Sequence, residues 1–338
     1  MKKFLLYTFG ALLLLSSCEK AFIDDNPAND PLSNFDVMWK TVDEKYTFFI
    51  PKGINWDSIR NVYRPMVTND MNEQELFDVL AAMLYTLEDG HVNLRSPFNL
   101  SRNWEWYLDY PDNFIEEVVE RNYLGSDYKI AGGLQYTIID SVGYIYYGSF
   151  SSGFSLASLN AVITYFNEAT ALKGVIIDVR NNGGGSLNNA LVLAQRFATE
   201  KRECMITFEK TGPAHDDFGN GLSYSLKPSG EVNYSGPVVL LTNRRCYSAT
   251  NTFAALLSNY PHVTIVGAPT GGGGGIPIDN ELPNGWTYRF SATTSLLPDN
   301  FNIEFGVPVD SAVNNNPTIN AGGYDQILET GLAILKAK

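Results

Sequence analysis

The chain has 338 residues, 44% of them hydrophobic and 18% charged, and carries a formal net charge of −13 at pH 7. Such an acidic excess argues against nucleic acid or an anionic bilayer surface as the main partner, and the length allows one large core, or one core with a smaller unit appended to it. There is no CxxC, no HExxH and no carboxylate cluster at ligand spacing, so no metal is expected; with neither GxGxxG nor a phosphate-loop lysine, no cofactor is expected.

Residues 1–18, MKKFLLYTFGALLLLSSC, have the layout of a secretory signal: two lysines, an apolar run too short for a comfortable membrane span, then small residues. The ending Leu15-Ser16-Ser17-Cys18 resembles a bacterial lipobox, which implies cleavage before Cys18 and a lipid anchor on it. The protein would then be exported and held at a membrane, on its periplasmic side or at the cell surface, without spanning it. An ordinary signal with an incidental Cys18 is the alternative. Loss of Lys2 and Lys3 would take the formal charge to −15. The remaining cysteines, Cys204 and Cys246, stand 42 residues apart, and both a disulfide and two free buried thiols are open.

Residues 19–32 are polar and proline-containing and read as a tether. A small helical unit is expected over 33–98. In it Phe35, Trp39, Val42, Tyr46 and Phe49 recur at helical spacing up to Pro51. A second helix starts with a capping box, Asn72 with Glu75, and carries the stripe Leu76, Val79, Leu80, Met83, Leu84, Leu87. It is expected to end at Asp89-Gly90, with Gly90 in a left-handed cap and His91 directly after the helix terminus. Residues 99–140 form an aromatic-rich connecting segment with Trp104, Trp106, Tyr107 and Tyr110. From 141 to 338 apolar runs alternate with helical patterns. VGYIYYGSF, GVIIDVR, PVVLLT and VTIVG read as strands, while 158–166, about 187–198 and about 248–258 read as helices. That alternation predicts an α/β core with buried mixed or parallel strands.

Two stretches could carry chemistry. RNNGGGS is a glycine turn between a strand and a helix, which presents backbone N–H groups to an anion or is simply a tight turn. In NRRCYSATN, Ser248 stands between a strand and a helix. A hydroxyl there is either an N-cap or a nucleophile facing the Ala249 amide and the positive end of the helix dipole. The stretch is not GxSxG, so an α/β-hydrolase elbow is not indicated. A nucleophilic serine needs a base, and the chain has only three histidines. His215 lies in a polar loop where a solvated role is the default, His262 starts a strand and reads as structural, and His91 is the candidate base.

Taken in order, LEDGHVNL, VGYIYYGSF, GVIIDVRNNGGGS, TNRRCYSATNTFAALL, IVGAPTGGGGG and NIEFGVPVD resemble the C-terminal processing (tail-specific) serine peptidases and their tricorn-like relatives, from about Phe35 to about Asp310. The resemblance implies a crotonase-like α/β core and peptide-bond hydrolysis of a peptide or protein substrate through an acyl-enzyme on Ser248. It also implies an oxyanion hole from the Ala249 N–H and one N–H of Gly183-Gly184. Many relatives use a Ser-Lys dyad, but where its lysine belongs this chain has Gly271-Gly272-Gly273, and no lysine occurs between Lys227 and Lys336. The tricorn-like branch implies His91 as base, with Glu304 orienting the relay or binding the substrate's amino group. Only about 45 residues separate LEDGHVNL from VGYIYYGSF, too few for a PDZ module of on the order of 90 residues. Substrate selection is therefore expected from the 101–140 segment, the 210–222 loop and the glycine loop 271–275. The resulting expectation is a lipid-anchored serine endopeptidase; the alternatives are a catalytically weak peptide-binding lipoprotein on the same fold and an esterase-like acyl hydrolase.

Overall fold

The structure is a computed structural model, and it describes residues 27–104, 110, 113–315 and 323–338. The expected signal, Cys18, most of the tether, Trp106 and Tyr107 lie outside the described residues. Helix α1 (Pro31–Lys45) starts where Asp30 accepts the Ser33 N–H at 2.9 Å and Pro31 takes the first helical position. It ends at Lys45, and Pro51 falls inside a separate short turn, α2 (Phe49–Lys52), closed by Gly53 at φ 65°. After α3 (Trp56–Tyr63), α4 (Glu73–Tyr85) begins with the expected capping box: Asn72 accepts the Glu75 N–H at 3.0 Å and Glu75 accepts the Asn72 N–H at 2.9 Å.

The end of α4 differs from expectation. The helix stops at Tyr85, and the residue with positive φ is Glu88, at 45°, not Gly90. His91 therefore follows a loop rather than a helix terminus.

The N-terminal unit is also not purely helical. Strand β1 (Asn93–Arg95) pairs with β2 (Leu100–Arg102) on one side. On its other side it pairs with a strand from late in the chain, so its apolar cluster, containing Phe35, Trp56, Phe77 and Leu80, includes Trp286, Tyr288 and Phe290.

Beyond a short helix, α5 (Glu116–Val119), the main sheet begins at β3 (Lys129–Ala131) and β4 (Leu134–Ile139), ahead of the expected boundary at 141. It continues through β5 (Val142–Tyr146), β6 (Gly174–Asp178), β9 (Val238–Thr242), β10 (Val263–Gly267) and β14 (Ser311–Ala312), in the order β14-β10-β9-β6-β5-β4-β3. The pairs from β5 to β14 are parallel, and β3 and β4 add antiparallel strands.

Helices α6 (Leu156–Asn167), α7 (Leu187–Gln195) and α8 (Ala249–Leu257) pack on one face with Val175, Ile177 and Leu240. Helix α9 (Gln326–Lys336) packs on the other with Ile176, Val239 and Leu241. Successive strand residues thus bury into opposite layers, which is why these strands read as unbroken apolar runs. Each such side chain contributes roughly 1.5–3 kcal/mol on burial.

The hairpin β7 (Arg202–Glu209) and β8 (Leu222–Leu226) joins β13 (Thr293–Leu296) in a third sheet, and β11 (Pro277–Glu281) and β12 (Thr287–Ser291) complete the N-terminal one in the order β11-β12-β1-β2. The disulfide alternative is corrected: Cys204 and Cys246 are free and buried. Among the described residues no helix is long and apolar enough to cross a membrane.

At the end of β6 a buried ion triad fixes the following turn. Arg180 reaches Asp178 at 2.6 Å and Asp325 at 2.8 Å, and Asp325 also caps α9 by accepting the Leu328 N–H. A guanidinium with no solvent exposure is tolerable because its fork is paired on both sides.

Candidate active site

Ser248 ends the loop between β9 and α8. Its backbone stands at φ 57°, ψ −120°, and its side chain makes no capping hydrogen bond, so the N-cap alternative fails. A non-glycine residue held there costs about 1–3 kcal/mol, sustained only if its surroundings over-determine it. Here the Gly272 carbonyl accepts the Ser248 N–H at 2.9 Å, and the turn aims Oγ at His91, with His91 Nε2 2.9 Å away.

His91 is 6% exposed. Burial lowers its pKa below the ordinary 6.5; Asp89 opposes that shift, and the positive charges of Arg289 and Lys52 add to it. At neutral pH the imidazole is therefore a free base, as a proton acceptor must be.

Three groups outside the sequence reading position it. Asp89, fully buried, accepts the His91 backbone N–H at 2.8 Å and the Ser291 hydroxyl at 2.9 Å, and Ser291 Oγ stands 3.4 Å from His91 Nδ1. Burial pushes the Asp89 carboxyl up, but Lys52, His91 and its hydrogen bonds outweigh this and hold it below the usual carboxylate range. The Tyr247 hydroxyl donates to Asp89 at 3.2 Å, while its ring lies edge-on to His91 with centroids 5.0 Å apart. That ring also explains Gly90, where a Cβ would lie 2.9 Å from Tyr247 Cζ. Asp89 was in plain view in LEDGH but read as a helix end. Ser291 gave no sequence signal.

Glu304 is 7% exposed and close by, yet its hydrogen bonds run elsewhere. One oxygen meets Lys52 Nζ at 2.9 Å and the other accepts the Gly274 N–H at 2.9 Å. Burial and the nearby Asp89 charge push its carboxyl up to about 7 against the pull of Lys52. Both oxygens of Glu304, expected to orient the relay or to bind the substrate's amino group, are thus engaged by Lys52 and the Gly274 amide.

The expected anion-binding amides fall together but not equally. Gly184, at φ 101°, packs so tightly against the nucleophile that a Cβ would sit 2.6 Å from the Tyr247 carbonyl and 2.9 Å from Ser248 Cβ. Its N–H, however, already donates to Asn182 Oδ1 at 2.9 Å. Gly183, which lines the cleft, and Ala249, at the first helical position where an N–H has no partner within the helix, are the amides available. Asn182 holds the turn by also accepting from Thr250 Oγ1 at 2.7 Å and donating to the Tyr147 carbonyl at 2.7 Å. The other histidines serve elsewhere. His215 pairs with Asp43 at 2.8 Å rather than being freely solvated, and His262 stands 3.0 Å from the Phe197 carbonyl.

Ser248 and His91 open into a cleft of about 830 Å³. Of the expected selection elements, Arg102 and Trp104 from the 101–140 segment line it. Gly271 to Gly275 are buried beneath Ser248 and Glu304 instead, and the 210–222 loop lies apart. Among the described residues no cluster of histidine, cysteine and carboxylate side chains could hold a metal.

The profile of peptidase family S41 matches residues 141–313, and that of the tricorn protease C1 domain matches residues 27–85. The carboxy-terminal processing protease CtpA of Bacillus subtilis is 26% identical over 160 residues, covering 47% of this chain and 32% of that protein. A probable CtpA-like serine protease of Staphylococcus epidermidis is 24% identical over 242 residues, covering 66% of this chain and 48% of its own length. The chain thus spans about a third to a half of these relatives. A crystal structure of a candidate peptidase from Parabacteroides merdae is 43% identical and superposes with a TM-score of 0.86, covering 91% of this chain and 97% of that one.

Proposed function

The chain belongs to peptidase family S41, and from that premise we propose that it is a serine endopeptidase with Ser248 as nucleophile and His91 as base. The single observation that carries the reading is the 2.9 Å contact between a strained Ser248 and a buried His91. His91 Nε2 takes the Ser248 proton as Oγ attacks the scissile carbonyl. The oxyanion is received by the amides of Ala249 and Gly183, at the positive end of α8. The imidazolium formed in this step is offset by the Asp89 charge, relayed through the Ser291 hydroxyl. His91 then protonates the leaving amine, and water repeats the sequence on the acyl-enzyme.

In this reading Glu304 acts at one remove, paired with Lys52 and holding the glycine loop that in turn holds the Ser248 amide. We assign the seven-stranded sheet and its helices to a crotonase-like core beginning near residue 129, and the preceding residues, completed by the β11–β12 hairpin, to a unit that supplies His91. The lipid anchor on Cys18 and an exported, membrane-held location belong to the same proposal; their support is the lipobox-like sequence.

The test is covalent labelling by a fluorophosphonate probe. Ser248 should be modified in the native protein, with the rate falling at least about 10²-fold in His91→Ala. A folded protein in which Ser248 resists the probe would favour a binding module on the same fold.

A further inference from the structure

Among the described residues, the lining of the cleft beside Ser248 is basic although the chain as a whole carries −13. Among the described residues lining it are Arg95, Arg102, Arg245 and Arg289 against a single carboxylate, Asp279. Three of these arginines owe their position to strand register. Asn93 on β1 lies opposite Arg289 on β12 and Arg102 on β2, and Arg289 lies opposite Asp279 on β11, so one row of side chains crosses all four strands. Arg95, two residues along β1 from Asn93, stands on the same face. The alternate residues, Leu94, Tyr288 and Phe290, bury into the N-terminal core. The sheet therefore turns its apolar face inward and a guanidinium-rich face to the cleft.

We infer that this face selects peptides bearing carboxylates next to the scissile bond. The inference rests on the peptidase reading and names the substrate class of that site. A guanidinium presents a planar fork that takes a carboxylate through two hydrogen bonds. Several such forks along one cleft wall focus a field that raises the local concentration of an anionic chain, an effect that weakens with salt. Arg102 is stacked on Trp104, with its guanidinium carbon 4.6 Å from the ring centre, which keeps the fork in place without consuming its hydrogen bonds. Arg289 is near enough for its charge to act on His91. The carboxylates can come from acidic side chains or from a substrate's own C-terminus; the recognising chemistry is the same.

The experiment uses Ser248→Ala, which binds without turning over, and three rhodamine-labelled octapeptides. One carries several glutamates and an amidated C-terminus, one replaces every glutamate by glutamine, and the third is the glutamine peptide with a free C-terminal carboxylate. Fluorescence polarisation should give roughly tenfold or tighter binding for the glutamate peptide than for its amidated glutamine counterpart at low salt, shrinking toward parity as salt is raised. Adding Arg95→Gln and Arg102→Gln should remove most of that preference while leaving the circular dichroism spectrum unchanged. A preference for the free-carboxylate peptide alone would assign the arginines to the C-terminus. Equal binding of all three peptides, or a preference unmoved by the arginine substitutions, would overturn the inference. Fluorophosphonate labelling of the unsubstituted protein reports separately on the peptidase reading, so the two fail independently.

Discussion

The carboxylate that serves His91 can be identified by exchanging Asp89 and Glu304 for their amides. Asp89 reaches the imidazole through one intervening hydroxyl, Ser291, at 2.9 Å and 3.4 Å, and it is fully buried. For unit charges about 6 Å apart at an effective dielectric of about 20, the interaction is about 3 kcal/mol. If that stabilises the imidazolium formed during attack, Asp89→Asn should lower kcat/KM about 10²-fold at its pH plateau. The same substitution removes the one nearby influence that raises the His91 pKa, so the acid limb of the pH profile should move to lower pH, because activity needs the imidazole neutral. A drop in plateau together with an acid-ward shift of the limb separates loss of the charge from mere loss of packing. Glu304→Gln should leave the limb where it is, since the Glu304 oxygens are engaged by Lys52 and the Gly274 amide. The assay is peptide hydrolysis across pH 4–9 for the three proteins. An Asp89→Asn enzyme within about threefold of the unsubstituted one with an unmoved limb, or a Glu304→Gln enzyme that reproduces the shift, would refute the assignment.

Ser248→Gly should abolish probe labelling yet raise stability by about 1 kcal/mol, the strain released less the extra chain entropy of glycine; scanning calorimetry should find Tm up by about 2–4 °C. Gly184→Ala, whose Cβ would meet the Tyr247 carbonyl at 2.6 Å, should lower both Tm and kcat, whereas Gly183→Ala, with nothing within 4 Å of the added carbon, should leave Tm near that of the unsubstituted protein. Glu304 titrates at about 7 in the fold against 4.5 ordinarily. Between those values the folded chain holds a proton that the unfolded chain has released, so the contribution of this group to stability falls as pH rises through that window. Glu304→Gln should flatten that part of a urea-midpoint-against-pH curve; an unchanged slope would mean that the carboxyl is not perturbed in the fold.

Much of this arrangement was legible because local patterns and tertiary demands coincide. The strands β6, β9 and β10 read as unbroken apolar runs because both faces are covered, and the capping box of α4 is a local hydrogen-bond motif. Ser248 and His91 could be singled out as candidates because the chain has few histidines and because the motif order carried the resemblance. What failed to appear was set by long-range register. Ser291 meets Asp89 only because β12 pairs with β1 across nearly 200 residues, and the arginine face exists only because Asn93 aligns with both Arg102 and Arg289. Gly90 was misread for a different reason. A glycine near a helix end suggests a left-handed cap, but here it makes room for the Tyr247 ring, a constraint imposed from 157 residues away.

That ring also bears on the proposed choice of His91 as base. The Ser-Lys dyad that the sequence resemblance implies for many relatives would need a lysine in the glycine loop, where this chain has Gly273. A Cβ built on Gly273 would lie 2.6 Å from two atoms of the Tyr247 ring and 3.0 Å from the Ser248 nitrogen, and its φ is 76°. No side chain fits there while Tyr247 keeps its place, and Tyr247 keeps its place through its hydroxyl on Asp89 and its edge on His91. The glycine, the tyrosine and the histidine are thus one packing solution. Restoring a lysine by Gly273→Lys would expel the ring that orients the base already present, so it would damage the histidine-based site rather than add a second one. A lysine does reach this site from another direction: Lys52 arrives from the N-terminal unit and is paired with Glu304 2.9 Å away. The chain thus draws both His91 and that lysine from the unit that docks against the nucleophile. Any change that loosens the docking of β12 on β1 should cost activity before it costs the fold of the main sheet.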